Sequence, residues 1–158
     1  MTVSRAETQR RVSRFAETCR RKGLKVTHQR MEVFRELAAS DEHPDAETVY
    51  ERVRKRLPTV SCDTVYRTLS TLETQGLVSR TEVLGGPARY DANMAPHHHF
   101  VCTTCGLVRD FYSDALDSLP IPKSVEALGK VESAHVQVRG VCSVCAARKR
   151  KAGRRRKG

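Results

Sequence analysis

Four of the six cysteines stand in two pairs, and each pair encloses two residues: Cys102 with Cys105, and Cys142 with Cys145. Two cysteines at this spacing can both turn toward one ion, and Gly106 after the first pair permits an unusual backbone turn. Four thiolates form the tetrahedral set typical of structural zinc, which leaves no open position for catalysis. The pattern predicts one zinc that stabilises the fold; the alternative is redox-active or incidental cysteines.

A second group of possible metal ligands centres on three consecutive histidines. On a strand, His97 and His99 face one side and His98 faces the other. Further candidates stand elsewhere in the chain: His43, Asp91, Asp110 and His135. Two imidazoles with carboxylates suit Fe²⁺, Mn²⁺ or Zn²⁺, and a mixed nitrogen and oxygen site exchanges its metal more readily than four thiolates. The alternative is a polar surface patch.

The first 91 residues carry the pattern of helices followed by a hairpin. Apolar residues at spacings of three and four predict helices from Ser4 to about Lys22, after a Thr27 cap, after an Asp45 cap, and from Cys62 to Gln75. A strand over residues 77–83 and a return strand from Ala88 follow. This order predicts a winged helix-turn-helix with the last helix in the major groove, the alternative being a generic helical domain.

The remaining residues predict a small second domain. Residues 92–96 read as a hinge, and residues 97–147 as an α/β domain with strands around His99, Leu107 and Val131–Arg139. This part has little apolar mass, and domains this small usually need a metal or a partner. The predicted fold class is therefore α+β, with a winged helix-turn-helix followed by a zinc-stabilised α/β domain.

The charge of the chain is unevenly distributed. The 158 residues have a formal net charge of +11, and the segment from Arg148 to Gly158 holds eight Lys or Arg and no acidic residue. Such a run is expected to be disordered, and it either adds affinity for nucleic acid phosphates or is a solvated terminus. No apolar run approaches the ~20 residues that span a bilayer, and the Arg-rich start does not resemble a signal peptide, so we expect a cytoplasmic protein without membrane contact.

Five motifs in order resemble the ferric uptake regulator superfamily over roughly residues 16–145. They are Leu24–Arg30 (with His28 where Pro is commoner), His43–Ala46, Thr64–Leu69, His97–Gly106 and Gly140–Cys145. The resemblance implies a DNA-binding half over residues 1–91, a dimerisation half over residues 97–147, and a regulatory metal between them. Its ligands would be His43, Asp91, His97, His99 and Asp110.

The resemblance also implies a mechanism and a subtype. Metal would clamp the two halves so that the recognition helices of a homodimer fit a palindromic double-stranded DNA operator. The aspartates at positions 91 and 110 resemble those of the peroxide-sensing branch of the family. In that branch, bound Fe²⁺ reacts with peroxide and a ligand histidine is oxidised. The residues of this chain that match the oxidised histidines are His43 and His97. The alternative is an iron- or zinc-responsive repressor, because residues 64–67 match the iron sensors equally well.

The same resemblance gives candidate DNA contacts. Tyr66, Arg67 and Thr64 lie in the recognition-helix motif, and Lys25 and Arg30 could bind phosphates; the alternative is a solvated helix face. No general base, nucleophile or phosphate loop stands apart from the ligands, so we expect no enzyme. A metal-dependent enzyme and a zinc-stabilised scaffold without sensing are the alternatives from other classes.

Overall fold

The structure of the chain is a computed structural model that describes residues 3–83 and 85–155. It divides into two compact units between Met94 and Ala95. This division falls inside the hinge expected at residues 92–96. None of the helices within the two described ranges has the length and apolar character that crossing a bilayer requires.

The N-terminal unit contains helices followed by a two-stranded antiparallel sheet. Their bounds are α1 Arg5–Arg21, α2 His28–Ala38, α3 Ala46–Arg54, α4 Cys62–Thr74, β1 Ser79–Thr81 and β2 Arg89–Asp91. Each helix starts after a side chain that accepts the N–H three residues on, and these caps are Ser4, Thr27, Asp45 and Ser61. A cap of this kind stabilises a helix by about 1 kcal/mol.

One apolar core holds these helices together. The rings of Phe15 on α1 and Phe34 on α2 stack with centroids 4.0 Å apart. Helix α4 contributes Val65, Leu69 and Leu72, all fully buried. The opposite side of α4 is thereby left to solvent, as expected for the recognition helix of a winged helix-turn-helix.

A charged residue is also buried in this unit. Glu32 on α2 pairs with Arg35 and with Arg56, whose Nε lies 2.7 Å from a Glu32 oxygen. Arg56 also lies 2.6 Å from Glu36. Burial raises the pKa of Glu32, but the hydrogen bond from Arg56 and the charge of Arg35 outweigh it and hold that pKa below its ordinary value. The segment after α3 is thus tied to α2.

The strands of the hairpin are shorter than predicted. Strand β1 covers Ser79–Thr81 rather than residues 77–83. The N–H of Leu77 donates to the carbonyl of Leu72 in α4 at 2.9 Å, so it closes the helix instead of entering the sheet. On the return side, Pro87 has no N–H to offer, and pairing begins at Arg89.

The C-terminal unit is built on a three-stranded sheet. Its elements are β3 His98–Cys102, β4 Val108–Phe111, α5 Asp114–Asp117, α6 Lys123–Glu126, β5 Gln137–Gly140 and α7 Ser143–Arg155. The central strand β3 pairs antiparallel with β4 and parallel with β5. Gly140 packs closely beside β3, since a Cβ there would lie 3.2 Å from the ring of Phe100.

One strand of this unit is shorter than predicted. The strand predicted over Val131–Arg139 forms only at Gln137–Gly140, because β3 begins after Pro96 and offers no earlier partner. Helix α7 runs to Arg155 and so covers part of residues 148–158, for which the sequence predicts a disordered tail. Residues 156–158 lie outside the described part of the chain.

Candidate metal centres and nucleic-acid interface

The four paired cysteines meet in the C-terminal unit. Cys102 ends β3 and Cys105 follows in the loop to β4, where Gly106 takes a φ of 69° and donates its N–H to the Cys102 carbonyl. Cys142 and Cys145 lie at the start of α7. The N–H of Thr103 donates to the carbonyl oxygen of Gly140 at 2.8 Å, and this hydrogen bond joins the two cysteine loops. All four sulfurs lie within 4.8 Å of one another.

The spacing of these sulfurs fits zinc. The Sγ atoms of Cys105 and Cys142 are 3.8 Å apart. Four sulfurs at the usual Zn–S distance of 2.3 Å form a tetrahedron whose edges are about 3.8 Å. The donor set and its size therefore match the structural zinc that the sequence predicts.

The protonation of the four thiols also calls for a cation. Backbone N–H groups of Cys142, Cys105 and Thr104 lower the pKa of Cys102 to about 6. The neighbouring sulfurs of Cys142 and Cys105 hold the proton on Cys145 and raise its pKa to about 12. Four thiolates at this distance repel one another, and a bound divalent metal would offset their charge.

The same unit holds two histidines and one aspartate close together. Pairing of β3 with β4 sets His99 opposite Asp110. The Nε2 atoms of His97 and His99 are 2.9 Å apart, and an oxygen of Asp110 lies 3.5 Å and 3.6 Å from them. Two nitrogens bound at about 2.0–2.1 Å and at a right angle would stand about 3 Å apart. This group, called the His97 cluster, offers three ligands to a divalent metal.

The backbone prepares one of these imidazoles as a ligand. The Nδ1 atom of His97 lies 2.7 Å from the carbonyl oxygen of Ala95. A carbonyl only accepts hydrogen bonds, so Nδ1 must carry the proton and Nε2 keeps its lone pair. Ligand histidines in metalloproteins are commonly oriented in this way.

His98 faces away from the His97 cluster, as the strand alternation predicts. Its Nδ1 accepts the N–H of Val136 at 3.1 Å, and its Nε2 lies 3.2 Å from an oxygen of Asp117 on α5. It thus ties β3 to α5 and to the segment before β5. The sequence alone had left the role of His98 open and had not identified Asp117, which lacks any recognisable motif.

A histidine and an aspartate lie side by side, both buried, in the N-terminal unit. His43 Nε2 lies 3.3 Å from Asp91 Oδ2. The N–H of Tyr90 on β2 donates to the carbonyl of Pro44 at 3.0 Å, which brings the loop of His43 beside Asp91. Asp91 is oriented further by the N–H of Asn93, which donates to its other oxygen at 2.7 Å.

The backbone at His43 is strained. Its φ of 48° is left-handed, which is uncommon for a residue other than glycine, and it also precedes a proline. Such a conformation costs about 1–3 kcal/mol and is found mostly at functional sites. The chain holds this imidazole in place against a local preference.

The residues predicted to contact DNA differ in their exposure and in the hydrogen bonds that they make within the chain. Tyr66 and Arg67 are exposed on α4, with an Arg67 nitrogen 2.8 Å from Asp63. Thr64 is engaged in the helix cap, because its N–H donates to Ser61 Oγ at 3.1 Å. Arg30 donates to the carbonyl of Lys25 at 2.6 Å, while the Lys25 side chain is exposed.

The chain is similar to known bacterial regulators. The peroxide operon regulator of Bacillus subtilis is 30% identical over 129 residues, which cover 82% of this chain and 89% of that protein. The solved peroxide stress regulator of Campylobacter jejuni is 32% identical with a TM-score of 0.64, covering 82% of this chain and 98% of its own.

A third relative is a protein whose structure was described as revealing three functional metal binding sites. This is the Helicobacter pylori ferric uptake regulator, 25% identical with a TM-score of 0.68, covering 88% of this chain and 93% of its own. The sequence profile of the ferric uptake regulator family matches residues 21–139, well over half of the chain. The chain therefore belongs to the ferric uptake regulator family.

Proposed function

We propose that this chain is a cytoplasmic, homodimeric, metal-dependent repressor that releases its DNA operator when peroxide oxidises a histidine ligand. The observation that carries the proposal is that each unit holds its own incomplete set of metal ligands. The His97 cluster offers two imidazoles and one carboxylate, and the N-terminal unit offers the buried pair of His43 and Asp91.

The two sets are complementary in chemistry. Two histidines and one carboxylate with open positions are the ligand set of non-haem Fe²⁺ sites. In an enzyme the open positions would admit substrate. We propose instead that His43 and Asp91 fill them, so that one Fe²⁺ or Mn²⁺ is held by ligands from both units. Metal then favours only the arrangement in which all five ligands converge, and this preference couples metal binding to DNA binding.

Peroxide sensing follows from the choice of metal and ligands. A bound Fe²⁺ would supply the redox chemistry that cleaves the O–O bond of peroxide, which redox-inert zinc would not. In the overall step, one oxygen atom of H2O2 would go to a ligand imidazole, which is oxidised by two electrons, and the other would leave as water. His43 and His97 are the imidazoles that we expect to gain oxygen, and an oxidised ring binds metal poorly. Carboxylates at Asp91 and Asp110 and the likeness to two peroxide regulators support this branch over a purely iron- or zinc-responsive repressor.

We propose that dimerisation uses the C-terminal unit. Both outer strands, β4 and β5, have one unpaired edge in the described sheet. Large apolar side chains are exposed on this unit, with Leu128 at 87%; the others are Tyr112, Leu119, Val125, Val131, Val138, Val141 and Val144. A second copy is the occupant that fits both features. We expect Val138→Lys, on β5, to weaken the dimer in analytical ultracentrifugation. If this variant remained a dimer, the β5 edge would be excluded from the dimer interface.

The decisive experiment measures binding to a palindromic operator after anaerobic loading with Fe²⁺ or Mn²⁺, before and after peroxide. We expect the Fe²⁺ form alone to lose binding, and a peptide containing His43 or His97 to gain about 16 Da, one oxygen atom. Binding that follows metal supply but survives peroxide would assign the chain to metal uptake. Absence of any metal dependence would refute the sensor.

Two variants distinguish a metal-sensing repressor from a zinc-stabilised scaffold and from a metal-dependent enzyme. His43→Ala should abolish metal-activated operator binding and leave the zinc content unchanged, whereas His28→Ala, at an exposed histidine of the same unit, should behave as the native protein. A zinc-stabilised scaffold would show no effect of either change. A metal-dependent enzyme would show turnover that His43→Ala removes.

The assignment of α4 as the reading helix has its own test. Arg67→Ala should lower operator affinity by about 5- to 150-fold, because a bidentate arginine contact to guanine contributes about 1–3 kcal/mol. Lys25→Ala should weaken operator and unrelated DNA equally, as expected of a phosphate contact. Equal losses on both DNAs for Arg67→Ala would remove Arg67 from base recognition.

A further inference from the structure

Residues 148–158, called here the basic segment, account for most of the net positive charge of the chain. They contain eight Lys or Arg and no acidic residue. Removing these eight from the 29 Lys and Arg leaves 21 basic against 18 acidic residues, a net of about +3. The basic segment is therefore a separate electrostatic feature and not part of a generally basic surface.

The family profile does not reach this segment, because it ends at residue 139. The zinc ligands Cys142 and Cys145 also precede the basic segment, so neither predicted metal centre requires it.

The backbone connects the basic segment firmly to the zinc centre. Helix α7 begins at Ser143, contains Cys145 and runs to Arg155. The N–H of Ala146 donates to the carbonyl of Cys142 at 2.9 Å, so the helix grows directly from the second cysteine loop. At about 1.5 Å per residue, residues 148–155 extend the helix by about 12 Å. Six of the eight basic residues therefore lie on a helix that begins at the cysteine cluster: Arg148, Lys149, Arg150, Lys151, Arg154 and Arg155.

We propose that the basic segment binds the phosphates of double-stranded DNA and adds affinity without sequence preference. Like charges three or four residues apart destabilise a helix by about 0.2–0.5 kcal/mol per pair, and a polyanion removes that repulsion. Duplex DNA carries one charge per ~1.7 Å and releases counterions when lysine and arginine neutralise it. The inference rests on the proposed function only in taking duplex DNA as the partner.

The test compares two variants of the full chain. In the first, all eight basic residues of the segment become Gln, which has a helix propensity close to those of Lys and Arg. In the second, each Arg becomes Lys and each Lys becomes Arg, so that the charge is kept. Binding of metal-loaded protein to the operator and to a scrambled duplex is measured over a series of KCl concentrations.

We expect the Gln variant to bind both duplexes at least 10-fold more weakly near physiological salt, with the operator preference changed by less than about 3-fold. The slope of the logarithm of the binding constant against the logarithm of the KCl concentration should become less negative by about 3 or more, because each phosphate contact contributes ~0.9 to that slope. The charge-preserving variant should match the native protein. A chain that ends at Ala147 should repeat the Gln result with full zinc content.

Three results would overturn the inference. They are an unchanged salt slope, a loss confined to the operator, and a charge-preserving variant as weak as the Gln variant. Phosphatidylglycerol vesicles, tested in parallel, would overturn it if they bind through the segment while the DNA slope stays unchanged. If the native protein bound the operator no better than the scrambled duplex, the proposed function would be refuted. The salt dependence of binding to the scrambled duplex would still test whether the basic segment binds phosphates.

Discussion

The two units of this protein are stabilised by different means. The N-terminal unit encloses a continuous apolar core drawn from α1 to α4 and the residues that follow. In the C-terminal unit, the cluster around the cysteines consists of Cys102, Cys142 and Cys145 with Phe100 and Leu107 packed on it. We therefore expect burial of apolar surface to suffice for the first unit and the second to depend on a metal that holds four sulfurs together.

Loss of a zinc ligand should have the largest effect. Cys142→Ser should release the zinc and unfold the C-terminal unit, because structural zinc contributes about 10–16 kcal/mol of apparent binding free energy to folding. Hydrogen exchange would show β3 and β5 unprotected while α2 and α4 stay protected. Cys62→Ser, at an exposed cysteine outside the cluster, should change neither zinc content nor exchange. Full zinc content in Cys142→Ser would contradict the expectation that the C-terminal unit, unlike the N-terminal unit, needs zinc.

A cavity in the apolar core should have a smaller effect, on the other unit. Leu69→Ala removes a fully buried side chain of α4 and should lower the free energy of unfolding by about 2–5 kcal/mol. The matched change Leu128→Ala removes an exposed leucine and should cost less than about 0.5 kcal/mol. Urea unfolding with segment-resolved hydrogen exchange measures both. If Leu69→Ala also opened β3, the two units would unfold as one.

The smallest expected effect concerns the buried charge in the N-terminal unit. Arg56→Gln leaves Glu32 with one guanidinium and should cost about 1–3 kcal/mol at neutral pH. Lys55→Gln, at the exposed neighbouring residue, is the control.

The same ion pair gives this effect a pH dependence. Because the pKa of Glu32 is lowered in the folded state, its contribution is full above the ordinary glutamate pKa of about 4.3 and is lost as pH falls through the folded pKa. The difference in unfolding free energy between Arg56→Gln and the native protein should therefore shrink on acidification. A difference that is constant with pH would assign it to packing of the arginine stem.

Local signals in the sequence were enough for most elements of the N-terminal unit. Thr27 and Asp45 mark helix starts because a capping side chain acts within three residues, and α4 begins at Cys62 as its apolar spacing predicts. Non-local pairing was harder. The length of β5 depends on where β3 starts, and no residue within 131–139 carries that information.

The candidate sites divide in the same way. The cysteine spacing alone predicted the grouping of four sulfurs, since both halves of that site are local loops. His99 and Asp110 could be brought together by pairing two predicted strands. The left-handed backbone of His43 and the contact of His98 with Asp117 could not be predicted, because neither follows from composition or periodicity.

Strand β3 carries residues of both metal centres in the C-terminal unit. His99 and Cys102 are three residues apart on it, about 10 Å along an extended chain. Zinc at the sulfur cluster would fix one end of this strand. We therefore expect zinc binding at the cysteines to favour metal binding at the His97 cluster, so that a zinc-stripped protein takes up its second metal more weakly.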